Sequence, residues 1–171
     1  LSAKFDSALP FTLTNGQIEV GNQIASDLAQ THPMNRLLQG EVGSGKTLVA
    51  LRAMLAVADS GGQSALLAPT EVLAAQHFKS IQKSLGEDIA KEVGLTLLTG
   101  QMPTAERKRS LLQMVSGKAR IVVGTHALIS DNVEFLDLGF IVIDEQHRFG
   151  VDQREALRNK GKLPPHVLTM T

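Results

Sequence analysis

The chain contains no cysteine, no tryptophan and no tyrosine. The missing cysteine excludes a disulfide framework and thiolate metal sites, and it fits a reducing, cytoplasmic setting. Without Trp and Tyr, stacking on nucleic-acid bases would rest on Phe or His. Net charge is also absent: 17 Lys and Arg balance 17 Asp and Glu. No global basic field draws the chain to nucleic acid or to a membrane, so any anion site has to be local. The most apolar stretch, Leu48 to Ala58, is short and carries Arg52, which excludes it as a membrane span. No secretory signal pattern opens the sequence, and there is no repeat or low-complexity tract.

What remains is 171 residues, 43% hydrophobic and 20% charged. That suits one globular domain with its own core. Leu1 is not a start residue and Thr171 follows an apolar run, so a piece of a longer protein is expected. Residues 1–13, with Pro10 among them, read as a connecting segment.

A helix is expected from about Gly16 to Gln30, with Val20, Ile24 and Leu28 at i, i+4 and i+8 on one face. Thr31, His32 and Pro33 end it. Short apolar runs then alternate with helices. RLLQ (36–39) precedes a Gly-rich loop and a helix from Lys46 to about Asp59. ALLA (65–68) precedes PTE and a helix to about Leu85. LTLL (95–98) precedes Thr99-Gly100, and Pro103 opens a helix that stops at Gly117. RIVV (120–123) leads to GTH, FIVI (140–143) leads to DEQH, and HVLTM (166–170) comes last. This rhythm predicts βαβ units and a mainly parallel sheet with helices on both faces, an α/β three-layer sandwich. Right-handed crossovers point all strands the same way. The short polar segments that follow the first five runs therefore meet at one sheet edge, where open α/β sheets bind ligands.

GEVGSGKT, Gly40 to Thr47, fits G-x-x-x-x-G-K-[ST] between a predicted strand and a predicted helix. In a chain this long the pattern arises by chance about once in a hundred or less. Gly40, Gly43 and Gly45 let the backbone through Glu41, Val42 and Ser44 turn its N–H groups inward as an anion nest. The helix starting near Lys46 adds its positive end. Lys46 is suited to reach the β- and γ-phosphates of a nucleotide, and Thr47 to offer its hydroxyl to Mg²⁺.

Such a loop needs a carboxylate for the metal, because Mg²⁺ is hard and is held through few protein oxygens. Asp144 ends the apolar run FIVI and is placed for that role. Glu145 points elsewhere, since neighbours at a strand end diverge, and it can orient and polarise a water. Gln146 and His147 are open between two readings: sensing the γ-phosphate or contacting the loop after Thr169 to Thr171, and capping the next turn.

Taken together, GEVGSGKT, APTEVLAAQH, TG at 99–100, VVGTHALI and VIDEQHRFGVDQRE resemble the first motor domain of superfamily 2 DNA helicases, a P-loop NTPase with a RecA-like fold. Within that superfamily the nearest likeness is to helicases of branched DNA. The transcription-repair translocases, whose matching stretch reads DEEHRFG, are the runner-up, and Gln146 favours the former. The resemblance implies an ATP- and Mg²⁺-dependent enzyme. It makes Gln17 the adenine-reading glutamine, Lys46 and Thr47 the Walker A pair, and Asp144 and Glu145 the Walker B pair. It gives Pro69, Thr70, Thr99, Gly100 and Thr125 contacts to the DNA backbone, where hydroxyls and helix-start N–H groups suit phosphates. Residues 168–171 match the start of the motif III strand, which in this architecture lies between the Walker A and Walker B strands.

Three features depart from the family pattern. Glu41 stands where Asp is common, NGQ replaces the usual Ala before the glutamine, and motif III stops short of its Ala-Thr-Pro. The resemblance further implies a wedge domain before residue 14 and a second motor domain beyond the chain, which completes the ATP site with arginines. A monomer that binds nucleotide weakly, turns it over barely and does not unwind DNA alone is expected of residues 14–171. Local charge supports modest DNA contact: Arg107, Lys108 and Arg109 share one helix, with Lys118 and Arg120 soon after, although a solvated helix face is the preferred reading of 107–109, and Arg148, Arg154, Arg158, Lys160 and Lys162 are diluted by Asp152 and Glu155. DNA affinity should accordingly be low and strongly salt-dependent. A nucleotide-switched binding module is the alternative from another class, and Glu145 argues against it. A small-molecule P-loop kinase would leave APTE and GTH without a role.

Overall fold

The computed structural model describes residues 15–29, 35–38, 46–130, 132–144, 151–161 and 165–170. Helix α1 spans Asn15–Leu28, β1 Asn35–Leu38, α2 Lys46–Asp59, β2 Gln63–Leu67 and α3 Glu71–Val93. Then come β3 Thr96–Leu98, α4 Thr104–Val115, β4 Ile121–Gly124, a 3₁₀ turn His126–Ile129, β5 Leu138–Asp144, α5 Val151–Arg158 and β6 His166–Met170. The predicted connecting segment, 1–13, lies outside the described residues.

The six strands form one sheet in the order β1-β6-β5-β2-β4-β3, and every neighbouring pair is parallel. The inner strands are largely apolar because both faces of the sheet are covered. Alternation sorts their side chains. Leu66, Ile121, Val123, Phe140, Val142, Leu168 and Met170 pack with residues of α1, α2 and α3. Ala65, Leu67, Val122, Ile141, Ile143 and Val167 pack with Met114 of α4, Leu128 of the 3₁₀ turn and Leu157 of α5. The result is the expected three-layer α/β/α sandwich. The predicted stripe on α1 is also present: Ile24 is fully buried, with Val20 and Leu28 packed beside it.

Handedness explains which layer each helix joins. From β1 through β2 to β3 the chain moves across the sheet in one direction, with α2 and α3 on one face. From β3 it returns through β4, β5 and β6, and a right-handed return places α4, the 3₁₀ turn and α5 on the other face.

Two expectations need correction. The helix after PTE continues to Val93 rather than ending near Leu85, but Gly86 (φ 78°, ψ 165°) interrupts it at that point. The first segment thus ends where the apolar pattern broke, and a second segment, capped by Gly94 in the left-handed region (φ 63°), was missed. A side chain at Gly94 would also strike the Lys118 carbonyl. Helix α5 was not anticipated within the charged stretch after DEQH.

Buried Gln63 ties three elements together. Its Nε2 donates to the carbonyls of Met114 (2.9 Å) and Ala119 (2.8 Å), while its Oε1 accepts from the Asp137 N–H (2.8 Å). Gln63→Met keeps the length and strands these backbone groups, so it should cost about 3 kcal/mol. The same change at exposed Gln82 should stay within about 0.5 kcal/mol; urea melts of the two variants check this.

At the start of β6, burial holds the His166 pKa below its ordinary 6.5, against an upward pull from Asp27. The unfolded chain therefore takes up the proton more readily than the fold does. The contribution of His166 is intact above pH about 6.5 and is lost as pH falls through the lower folded value. The melting temperature should drop between pH 7.5 and 5.5, and drop less in His166→Gln.

Candidate nucleotide and DNA site

Strand register fixes the sheet edge. Leu38 of β1 pairs with Met170 of β6, which pairs with Asp144 of β5. The phosphate-loop strand thus ends in the same row as Asp144, two strand spacings or roughly 10 Å away. β6 lies between β1 and β5, as expected for the motif III strand. Lys46 and Thr47 open α2, partly buried, at the same edge. Gln17 lies in the first turn of α1, which packs on α2. The close approach of these helices is visible at Gly21, where a Cβ would come 2.9 Å from an Arg52 guanidinium nitrogen. Gly40, Glu41, Val42, Gly43, Ser44 and Gly45 lie outside the described residues, as do Glu145, Gln146, His147 and Thr171.

Asp144 is buried, and its parity along β5 turns it to the α2–α3 face. There His77 of α3 meets it, Nε2 to Oδ2 at 2.7 Å. No group of three or more His, Asp or Glu able to hold a metal occurs among the described residues. A Mg²⁺ carried by a nucleotide does not require one, because phosphates and water complete its shell. A buried carboxylate in the row of the phosphate-loop strand, with the Thr47 hydroxyl at the head of α2, is a donor set that fits it.

A second candidate region on this edge is a crevice beside β2. The segments following β2 and β4 leave toward opposite faces of the sheet, the arrangement that opens binding crevices in α/β folds. A cleft of about 290 Å³ lies there, lined by Pro69, Thr70, Gly100, Arg107, Thr125 and His126, among others. Four of the five nominated DNA contacts therefore come together from three separate loops. Thr99 does not join them: it is buried, and its N–H donates to the Met102 sulfur at 3.2 Å. The Thr70 side chain caps α3 by accepting from the Leu73 N–H (3.2 Å). Thr125 is buried, and its hydroxyl accepts from the Ala127 N–H at 3.4 Å. The Ala68 N–H donates to the Gly124 carbonyl (2.9 Å), which locks the two loops together.

Three further participants stand beside these: Glu71 and His77, which the sequence reading missed, and Arg107, which it weighed only together with Lys108 and Arg109. Arg107 is partly buried and turns into the cleft, while Lys108 and Arg109 are exposed outside it. Only helix phase, fixed by the burial of Ser110 and Met114 on α4, separates the three. Glu71 also lines the cleft, and its Oε1 accepts the Gln101 N–H at 3.1 Å, pinning the Thr99-Gly100 loop. The third is His77. A larger hollow of about 640 Å³, between the second half of α3 and α4, holds none of the nominated residues.

These features meet a consistent set of relatives. The DEAD/DEAH box helicase family matches residues 14–171. The ATP-dependent DNA helicase RecG of Mycobacterium leprae is 51% identical over 181 residues, which cover all of this chain and 24% of that protein. The chain thus spans about a quarter of the length of that curated relative. The structure of RecG bound to a three-way DNA junction has a TM-score of 0.85 and 39% identity, covering 99% of this chain and 22% of that one. The DEAD-box helicase Mss116, solved with single-stranded RNA and UDP-BeF, has a TM-score of 0.74 and 19% identity, covering 99% of this chain and 38% of that one, and shares the fold. Because that family model spans nearly the whole of the sequence, the chain belongs to the DEAD/DEAH box helicase family.

Proposed function

We propose that this chain is the ATP-binding motor domain of a RecG-type helicase, which couples ATP hydrolysis to translocation on and remodelling of branched DNA. The observation that carries this reading is one sheet edge at which the phosphate-loop strand ends in the same row as Asp144 and which also holds a cleft lined by Pro69, Thr70, Gly100, Arg107 and Thr125. The 39% identity to RecG over nearly the whole chain supports assigning that cleft to DNA. Neither the repair translocase nor a nucleotide-switched module is favoured by these relatives.

In this reading the Gly40–Gly45 backbone and Lys46 bind the nucleotide phosphates, and Gln17 reads the adenine. Thr47 and Asp144 hold the metal, and Glu145 orients the attacking water. Gln146 and His147 sense the γ-phosphate. Magnesium, when bound, neutralises charge on the β- and γ-oxygens. Thr70, Gly100 and Thr125 offer short donors to DNA phosphates, with Arg107 as the cation and Thr99 supporting its loop from within. Such contacts position the duplex without reading its sequence. Arginines of a second motor domain and the grip of a wedge domain lie in other parts of the whole protein, which acts as a monomer in the cytoplasm.

Binding of a fluorescent ATP analogue with Mg²⁺ should saturate and should be lost in Lys46→Ala. Phosphate release should be negligible even with forked DNA, because such arginines are worth ~10³–10⁵ in turnover. Robust hydrolysis by this chain alone would overturn the reading in favour of a self-sufficient NTPase. Arg107→Ala should weaken DNA binding equally across sequences and lower the slope of log affinity against log salt by about one. Lys108→Ala should change it less; titrations at several salt concentrations decide.

A further inference from the structure

The contact between His77 and Asp144 joins residues 67 positions apart, across the β2–β5 boundary of the sheet. At 2.7 Å it is short for a hydrogen bond from nitrogen, in the range of charge-assisted bonds. The carboxylate can only accept, so the imidazole Nε2 carries the hydrogen. The Asp144 side chain is 6% exposed and that of His77 is 16% exposed, so water competes weakly for the bond. His77 is held in turn by its helix: Ala74 and Ile81, one turn to either side, are sealed in the core. The imidazole is thus a fixed donor, on a rigid element, aimed at one oxygen of the Walker B aspartate.

A hydrogen bond from a fixed donor restricts a carboxylate's rotation about χ1 and χ2. A metal ligand that is already oriented loses less entropy on binding, and outer hydrogen bonds to ligating carboxylates typically change metal affinity by 10–100-fold. We infer that His77 is a positioning residue of the nucleotide site: its Nε2–H holds the Asp144 carboxylate from α3 in the orientation that receives the nucleotide-bound metal. This rests on the proposed nucleotide site and assigns it a residue that lies outside the phosphate loop and the DEQH stretch.

The test is Mg²⁺ titration of fluorescent ADP binding to this chain, for wild type, His77→Ala and His77→Gln, with EDTA samples alongside. Melting temperatures are taken without nucleotide. His77→Ala should raise the Mg²⁺ concentration at half-saturation by about tenfold or more, leaving binding in EDTA unchanged. His77→Gln, which places an amide donor near the Nε2 position, should recover most of that loss. A second readout needs no variant: in the wild type, the His77 Nε2 resonance should move when Mg²⁺ is added to the nucleotide complex, beyond its position with nucleotide in EDTA. If Mg²⁺ dependence is unchanged in His77→Ala and only its melting temperature falls, the contact is structural and the inference fails. An unmoved resonance overturns it as well, even where the alanine variant does not fold. Should wild type and Lys46→Ala bind alike, the nucleotide site itself is wrong and this inference falls with it.

Discussion

The handedness of parallel crossovers governs everything placed at the sheet edge. A right-handed connection fixes the face of the next helix once the direction of travel is set. The chain reverses direction at β3. Helices α2 and α3 therefore cover one face, while α4, the 3₁₀ turn and α5 cover the other. Crevices open only where neighbouring strands send their following segments apart. The reversal produces such divergences on either side of β2, whose following helix lies on one face while the segments after β4 and β5 lie on the other. The Thr70 and Thr125 loops follow β2 and β4, and the cleft between them is one of these divergences.

Close approach of backbone keeps that cleft narrow. At Gly124, the last residue of β4, a Cβ would collide with the Leu98 carbonyl and come within 2.8 Å of the Leu128 side chain. A bulkier residue would force β3 and the 3₁₀ turn away from β4 and splay the loops carrying Gly100 and Thr125. Charge is balanced as locally as shape. Arg107 faces a cleft that Glu71 also lines. The Glu71 carboxylate is engaged by the Gln101 N–H and lies at the start of α3, where the helix dipole favours it. A chain of zero net charge can in this way present one cation to a phosphate without a broad basic surface.

Local sequence signals located the elements well. The apolar runs matched the strands to within about two residues, the usual slack of element ends. The stripe at Val20, Ile24 and Leu28 gave the packed face of α1, and GEVGSGKT declared itself through residue types needed at fixed spacing. The acidic strand end carried weight only beside that motif, since a carboxylate after an apolar run is weak evidence alone. What escaped was long-range or depended on phase. Nothing in the neighbourhood of His77 announces a partner 67 positions away. Arg107, Lys108 and Arg109 are equivalent in composition, and only the rotation of α4 against β3 separates the one in the cleft. Thr99 looked like its neighbour Gly100, but the burial of its loop turned its N–H to the Met102 sulfur instead. Helix α5 lacks the apolar stripe that identified the others, and Leu157 is its buried anchor.

Helix α3 is the element common to the cleft and to Asp144. Its N-terminus, capped by Thr70, borders the cleft proposed for DNA, and His77, seven residues on or about 10 Å along the axis, grips Asp144. The peptide hydrogen bonds of these first turns are continuous, and Ala74 and Ile81 seat them against the sheet. A displacement at the cap cannot be absorbed by bending before it reaches His77, because sharp helix bends need an interrupted hydrogen-bond ladder. That interruption comes later, at Gly86. Beyond it, Ile89 and Val93 anchor the second segment, and Gly94 turns it into β3. The break thus divides α3 into a front half that spans the two sites and a rear half fastened to the edge of the sheet. On the functional reading proposed here, the front half is a direct physical link, among the described residues, between a DNA phosphate at the cap and the carboxylate that meets the metal.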